Sequence, residues 1–356
     1  MAKQLLVILG AGASFDCASA RELPGVRMNR RPPLVSELFA RDYQDILNTY
    51  PLAQAAATNI RSRLGGGALG LEDLLRDELR ASPHSHVRAQ YWSLPLYFQE
   101  LLLACSFDYT AHPDNLDQLT SELLKLDRVV FITFNYDTIF DRVLEKYHRL
   151  DSLDAYISNP RVVLIKLHGS VTWGRRLLLA GEIGALAEDG FGLVCHGLAE
   201  NPDTLDPTIL FLARPAGQRD VQSLRTVEHH LYYPALAAPL GPADEVSCPP
   251  EHLLALQQSL DPHSYGYDLH LLVIGYSCLD TRLLELIGNS GSRIASAVIV
   301  NGSAEQGRLA LERLQRRLLA VAPREDRDFV SVFDGGLGDF VRSDHLPLLI
   351  ERISSA

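Results

Sequence analysis

Residues 5–14 have the sequence Leu-Leu-Val-Ile-Leu-Gly-Ala-Gly-Ala-Ser, a continuous apolar run that leads directly into a glycine turn. A short run that is apolar at every position is typical of a central parallel strand, which is buried on both faces. Glycines at the turn let the backbone approach a pyrophosphate, and the helix that follows is expected to offer free N–H groups to it. Because Phe15 replaces the third glycine of the full dinucleotide fingerprint, a turn that serves packing alone remains an alternative.

Five further apolar runs predict strands, and helical segments separate several of them. The runs are Val129–Thr133, Val162–Leu167, Leu269–Gly275, Ala297–Val300 and Phe329–Phe333, and the helical segments are Ile139–Tyr147, Arg282–Gly288 and Gln306–Leu319. This alternation predicts an α/β fold, a Rossmann-like open parallel sheet with helices on both faces, in a single domain over residues 1–356.

Two stretches interrupt the alternation of strands and helices. Residues 34–126 carry only helical patterning, broken at residues 65–67, Pro83 and Pro95, and they predict a helical insertion. Residues 175–250 are rich in Gly, Pro and Asp and predict an irregular insertion. A long irregular stretch is more often functional or partner-facing than an empty linker. On position alone, both stretches are candidate contact surfaces for a partner.

Composition and charge exclude several classes of protein. A chain of 356 residues that is 47% hydrophobic can bury a sizeable core. Its net charge of -11 and the lack of a long basic run argue against a dedicated nucleic-acid surface. No stretch approaches the roughly 20 apolar residues that a membrane span requires, and the first apolar run is too short for a signal peptide.

Cysteine and histidine spacing gives no sign of a metal site. The five cysteines are scattered without a Cys-x-x-Cys pair, which argues against a disulfide framework and a zinc ribbon and favours a reducing cytoplasm. The pairs His84/His86 and His229/His230 lack a convincing third ligand. We therefore predict a cytoplasmic protein without a metal.

Polar side chains gather directly after the second predicted strand, at Thr133, Asn135 and Asp137. Side chains at the carboxyl ends of strands in an open α/β sheet point into the ligand crevice. The alternative is that Asp137 caps a helix starting near Tyr136 and that Asn135 makes a turn. Three polar groups together favour the ligand site.

Two more strand ends carry candidate residues. His168 follows a buried strand and precedes glycine, which suits a general base, although a lone histidine is more often a structural residue. Gly275 and Ser277 form a second possible phosphate cradle, although Ser277 and Asp280 also fit a helix capping box. Asn301, at the end of the fifth strand, could reach a ribose hydroxyl or merely turn the chain.

In this order the motifs resemble the sirtuin fold, and in particular the prokaryotic sirtuin-like family of antiphage defence systems. The stretches that carry the resemblance are Gly10–Ser14, Pro32–Leu34, Thr133–Asp137, Lys166–Ser170, Cys248–His252 and Gly275–Ser277. Together they span nearly the whole chain. The forms of these motifs are closer to the defence branch, whose members are known for hydrolysing NAD, than to deacylating sirtuins. Deacylating sirtuins also carry a zinc module with two Cys-x-x-Cys pairs, and its lack in this sequence argues against protein deacylation.

The resemblance implies an NAD glycohydrolase that releases ADP-ribose and nicotinamide as the effector of an abortive-infection system. Asn135 and His168 are the implied catalytic pair. The candidate NAD contacts are Gly10, Ala11, Gly12, Ser14, Thr133, Asp137, Gly275, Ser277 and Asn301. The stretch Asp334–Asp339 is a further candidate, for packing on adenine.

The same resemblance sets the expected partners and the competing functions. We expect a homo-oligomer, with a separate partner such as a hexameric DNA-translocating ATPase or a short Argonaute. ADP-ribosyl transfer, residual deacylation and a non-catalytic NAD-sensing role remain alternatives. A conventional dehydrogenase is disfavoured by the incomplete glycine fingerprint and by the His168-Gly169 pair.

Overall fold

A computed structural model of the chain describes residues 4–18, 31–64, 80–109, 113–178, 190–212, 225–227, 230–237, 247–265, 268–318 and 330–355. These residues form two compact units. The first unit draws on the segments 1–32, 108–167 and 248–356, and the second on 33–107 and 168–247. The predicted helical insertion at 34–126 therefore spans parts of both units. Residues up to 107 belong to the second unit, whereas the helix Asp114–Leu123 belongs to the first.

The described residues form ten strands. They are β1 (Gln4–Leu9), β2 (Arg128–Thr133), β3 (Val162–Lys166), β4 (Gly169–Leu177), β5 (Leu205–Phe211), β6 (Arg225–Val227), β7 (His230–Leu236), β8 (Asp268–Ile274), β9 (Arg293–Val300) and β10 (Val330–Phe333).

Helices cover much of the remainder of the described chain. Their bounds are Ala11–Phe15, Gln44–Leu47, Pro51–Leu64, Ser85–Tyr109, Asp114–Leu123, Ile139–Leu144, Gly190–Glu200, Pro250–Leu260, Pro262–Tyr265, Thr281–Asn289, Ala304–Leu318, Gly336–Arg342 and His345–Ser355. Short 3₁₀ turns lie at Val35–Glu37, Arg41–Tyr43, Asp154–Tyr156 and Pro202–Thr204. Among these helices none is long and apolar enough to cross a membrane.

The first unit is built on a six-stranded sheet in the order β10-β9-β8-β1-β2-β3. All its pairings are parallel. The chain runs from β1 outward to β3, then returns to the other side of β1 for β8, β9 and β10. This is the 3-2-1-4-5-6 order of a doubly wound Rossmann-type sheet. The predicted α/β fold is confirmed, and each predicted run contributes a strand, although Phe329 lies outside the described residues.

Burial explains why these strands form where the sequence predicts them. Every residue of β1, β2 and β3 is buried, so each strand needs apolar side chains on both faces. The register pairs Leu9 with both Thr133 and Ile274, which aligns the carboxyl ends of β1, β2 and β8. The residues that follow these three strands therefore meet at one edge of the sheet.

The second unit contains a four-stranded antiparallel sheet in the order β5-β4-β7-β6. The prediction of an irregular stretch at 175–250 is therefore wrong for its described residues, which form strands and the helix Gly190–Glu200. Prolines conceal the strands in the sequence, because Pro207 stands in the edge strand β5 and Pro234 in β7, next to a register shift. Edge strands and irregular positions are where a sheet tolerates proline.

The helix Ser85–Tyr109 packs the core of the second unit and continues through Pro95. The sequence had predicted a break there, because proline lacks the N–H of the helical ladder. Leu94 and Leu96, on either side of the proline, are fully buried. Burial of this largely apolar helix outweighs the loss of one backbone hydrogen bond.

Candidate nucleotide site at the ends of β1, β2 and β8

The turns after β1 and β8 lie in direct backbone contact. The Gly10 N–H donates to the Ile274 carbonyl (3.0 Å) and the Gly12 N–H to the Gly275 carbonyl (3.1 Å). Gly275 has φ +58, and a Cβ there would lie 2.5 Å from Gly12 Cα. A Cβ on Gly10 would lie 2.5 Å from the Gly275 oxygen. The two turns therefore require glycine at these positions to pack against each other.

The helix after the first glycines is short and uses much of its own hydrogen-bonding capacity. It spans Ala11–Phe15, and the Ala13 N–H donates to the Gly10 carbonyl at 2.9 Å. With the Gly12 N–H also paired, the expectation that this helix offers free N–H groups is wrong for these two residues. The geometry favours the packing role of the glycines, and phosphate contact by residues 10–14 stays a prediction.

Asn135 is fixed by hydrogen bonds to the turn after β1. Its Nδ2 donates to the Gly10 carbonyl and to Ser14 Oγ, both at 2.8 Å. Its backbone N–H donates to Thr133 Oγ1 (3.0 Å), while that hydroxyl donates to the Leu9 carbonyl (3.3 Å). A carbonyl oxygen can only accept, so the nitrogen end of the amide must face Gly10. The Oδ1 atom is the end that remains to accept a hydrogen bond from a ligand or water.

Asp137 is buried below this amide and engages both of its carboxylate oxygens. Oδ2 accepts from Ser14 Oγ (2.6 Å), and Oδ1 accepts from the Ile139 N–H (3.0 Å) at the start of the helix Ile139–Leu144. Burial raises the pKa of Asp137, while the nearby Lys166 ammonium opposes that rise. The residue thus holds the turn and the helix start, and direct contact of Asp137 with NAD stays a prediction.

The helix that follows β8 begins later than the capping-box alternative requires. Its N-cap is Asp280, whose Oδ1 accepts from the Leu283 N–H at 2.8 Å. Ser277 is exposed and lies ahead of the helix, so the alternative in which Ser277 is the cap is wrong. This arrangement leaves the Ser277 hydroxyl without a capping role, and its contact with NAD stays a prediction.

We expect Asp280→Ala to lower the free energy of unfolding of the first unit by about 1 kcal/mol, because the helix Thr281–Asn289 loses its cap. Ser277→Ala is the matched control and should leave stability unchanged. Amide hydrogen exchange in residues 281–289 measures both. Equal effects of the two substitutions would contradict the capping assignment.

Asn301 has a structural explanation in the turn after β9. Its Oδ1 accepts from the Gly302 N–H (3.0 Å), its backbone N–H donates to the Phe333 carbonyl, and its own carbonyl accepts from the Gly336 N–H, the last two at 2.9 Å. These contacts match the alternative in which Asn301 turns the chain. A ribose contact by Asn301 stays a prediction.

Two residues that the sequence reasoning missed support the site. Asp16 Oδ2 accepts from the Gly338 N–H (2.8 Å), so a carboxylate already occupies the start of the helix Gly336–Arg342, in the stretch predicted to pack on adenine. Lys166 is fully buried and ion-paired with Asp141 at 2.8 Å. The sequence did contain a signal for this ion pair, namely a lysine inside an apolar run. A lysine in a buried strand is expected to have a paired partner.

His168 begins the second unit, at the entry to β4. Its carbonyl accepts from the Ala237 N–H at 2.8 Å. Gly169 has φ +88, and a Cβ there would lie 1.9 Å from the Ala235 oxygen, so the glycine of the pair is required by packing. Because Asn135 and His168 belong to different units, the convergence of their side chains stays a prediction. Within the described ranges, no group of three or more His, Cys, Asp or Glu side chains could hold a metal ion.

Comparisons with known proteins find weak likenesses to solved sirtuin structures. Sir2Tm bound to a propionylated peptide has a TM-score of 0.38 and 12% identity, covering 98% of this chain and 94% of that one. A structure described as the structural basis of sirtuin substrate affinity has a TM-score of 0.38 and 14% identity, covering 98% and 93%. One on the mechanism and regulation of Sir2 enzymes has a TM-score of 0.32 and 14% identity, covering 100% and 93%. No family model and no curated protein matches the chain.

Proposed function

We propose that the first unit binds NAD at the carboxyl ends of β1 and β8, and that the protein hydrolyses it to ADP-ribose and nicotinamide. The observation that carries the proposal is the Asn135 amide, pinned to the turn after β1 where the strand order reverses. In open α/β sheets, ligands bind in the crevice at this reversal point. The order of the sequence motifs supports NAD as the ligand.

The proposed reaction needs little acid catalysis. As the bond between ribose C1′ and nicotinamide breaks, its electron pair passes to the positively charged ring nitrogen, and nicotinamide leaves neutral. A water oxygen then bonds to C1′. In this mechanism Asn135 Oδ1 accepts a hydrogen bond from the water or a ribose hydroxyl and so holds it in place, and His168 takes the one proton that the water releases. Positioned proton transfer of this kind contributes about 10²–10⁴-fold, while orientation and electrostatics supply the rest.

The biological setting belongs to the same proposal and rests on the motif order. We place the activity in the cytoplasm, as the effector of an antiphage abortive-infection system. Such a hydrolase must be restrained until it is triggered. A homo-oligomer, with a partner such as a hexameric DNA-translocating ATPase or a short Argonaute, would supply that control.

A non-catalytic NAD sensor is the second candidate, and one observation favours it. Both protons of the Asn135 amide and both oxygens of Asp137 are engaged inside the protein. A pinned side chain of this kind suits a rigid binding site as well as a catalytic one. Hydrolysis is preferred because the sequence pairs Asn135 with His168, which a sensor does not need.

Product analysis tests the proposal. Purified full-length protein is incubated with NAD in ¹⁸O-labelled water, with and without the product of a neighbouring gene. We expect equal amounts of nicotinamide and ADP-ribose, with one ¹⁸O atom at C1′. A labelled macromolecule would indicate ADP-ribosyl transfer instead. NAD binding without consumption in either arm would favour the sensor, and the lack of both would refute the proposal.

A further inference from the structure

A buried ion pair lies beneath the proposed site. Lys166 Nζ donates to Asp141 Oδ2 (2.8 Å) and to the Asp137 carbonyl (2.6 Å). Tyr156 donates its hydroxyl proton to Asp141 Oδ1 at 2.6 Å. The side chains of Lys166 and Asp141 are 1% and 5% exposed. A charge pair this deep is weak evidence of stabilisation, because the cost of desolvating both charges offsets their attraction.

The hydrogen bonds above the pair have a fixed direction. Ser14 has one hydroxyl proton, and an ionised Asp137 can only accept it. The lone pairs of Ser14 Oγ are then left to face Asn135 Nδ2, as the 2.8 Å contact requires. If Asp137 were protonated, it could donate to Ser14 instead, and the hydroxyl proton would have to point elsewhere. The charge on Asp137 therefore sets the direction of the Ser14 hydroxyl proton, and through it one of the two hydrogen bonds that orient the amide.

We infer that Lys166 is a positioning residue for Asn135, because it holds Asp137 ionised and in place and so fixes Ser14 and the amide above it. Asp141 and Tyr156 in turn hold the lysine. The effect on catalysis rests on the proposed function, whereas the effect on Asp137 and Asn135 is independent of it.

The charges around Asp137 determine the expected pH dependence. The titratable groups that face it are Lys166 on β3, Asp141 on the helix Ile139–Leu144 and Cys17 beyond the helix Ala11–Phe15. Burial raises the pKa of Cys17, so that thiol is neutral at ordinary pH. Burial likewise raises the pKa of Asp137, Lys166 lowers it, and Asp141 raises it to a smaller extent. Loss of the lysine charge must therefore raise the pKa of Asp137 further.

The test compares Lys166→Met with Lys146→Met, which removes an exposed lysine paired with Asp117. Lys166→Met leaves the Asp141 carboxylate buried without its lysine partner. The double variant Lys166→Met/Asp141→Asn removes the Asp141 charge as well, and so tests the loss of Lys166 without a buried carboxylate that lacks its counter-ion. The titration of Asp137 is followed by NMR of ¹³C-carboxyl-labelled aspartate, and the Asn135 amide by ¹⁵N-labelled asparagine. NAD turnover is measured over the same pH range.

We expect the Asp137 titration to move upward by about one pH unit or more in Lys166→Met, and by less in the double variant. The Asn135 side-chain resonances should move with it, and kcat should fall by about 10- to 100-fold with little change in KM. As the pH is lowered, Lys166→Met should lose activity at a higher pH than the wild type does. Lys146→Met should behave like the wild type.

An Asp137 titration that is unchanged in both Lys166 variants would overturn the inference. A titration that moves while the Asn135 resonances and kcat stay constant would also overturn it, since the lysine would then have a structural role only. If the resonances move but the wild-type protein consumes no NAD either alone or with the product of a neighbouring gene, the positioning network stands and the proposed hydrolysis fails.

Discussion

Asn135→Ala and His168→Ala are each expected to abolish NAD loss in a protein that remains folded. Without Asn135, the site loses the Oδ1 acceptor together with the two bonds from Nδ2 to the turn after β1. Those two bonds contribute about 2 kcal/mol to stability, so Asn135→Ala should be less stable but still folded. His168→Ala removes the proposed proton acceptor, and NAD binding should persist in this variant. Calorimetric NAD titration and NAD consumption measure the two effects separately.

Matched controls separate chemistry from general damage. Asn159→Ala removes an asparagine of the first unit whose Oδ1 holds a turn at the Arg161 N–H (2.9 Å). His196→Ala removes an exposed histidine of the second unit. Both controls should consume NAD at the wild-type rate. Wild-type turnover in folded Asn135→Ala and His168→Ala would show that neither side chain takes part in the reaction.

The parallel sheet could be predicted from the sequence because its strands are buried on both faces. Such strands leave a continuous apolar run, as in Leu5–Leu9 and Val129–Thr133, and that run survives without any knowledge of the pairing. The strand order could not be read from those runs. It depends on where the chain crosses between strands, which is a property of the whole unit.

The second sheet escaped prediction for the opposite reason. β5 lies at an edge and is exposed at several positions, so it needs no continuous apolar run, and Pro207 within it resembles a loop signal. Pro234 misleads in the same way in β7. At Pro95 the sequence predicted a helix break that does not occur, because burial of the helix outweighs the missing backbone hydrogen bond.

Candidate residues at the site were easier to predict than their partners. Asn135 and Asp137 were found because polar residues directly follow an apolar strand. Their bonds to Gly10 and Ser14 join positions more than 120 residues apart, so they exist only in the folded chain. Lys166 was missed because its partner Asp141 lies 25 residues away on a different element. Local patterns therefore give candidate positions for a site and not the hydrogen bonds between them.

Gly275→Ala is expected to destabilise the first unit by about 3 kcal/mol and to lower NAD turnover by about 100-fold. Alanine at φ +58 is strained by about 1 kcal/mol. The added Cβ would also lie 2.5 Å from Gly12 Cα and from Ala13 N, both backbone atoms that cannot rotate aside. The turn after β1 must then move, and Asn135 is bonded to that turn through the Gly10 carbonyl. The substitution thus disturbs stability and the proposed site together.

Gly291→Ala separates the clash from the strain. Gly291 also has a left-handed backbone, with φ +78, but a Cβ there meets only Pro262 Cγ at 3.9 Å, an ordinary contact. This control should lose about 1 kcal/mol and keep full turnover. Both tryptophans, Trp92 and Trp173, belong to the second unit, so fluorescence follows that unit, whereas hydrogen exchange in β1 and β8 reports on the first. Equal losses of hydrogen-exchange protection in β1 and β8 for Gly275→Ala and Gly291→Ala would contradict this prediction. Backbone strain alone would then account for the destabilisation by Gly275→Ala, and the close packing of the two turns would have no energetic consequence.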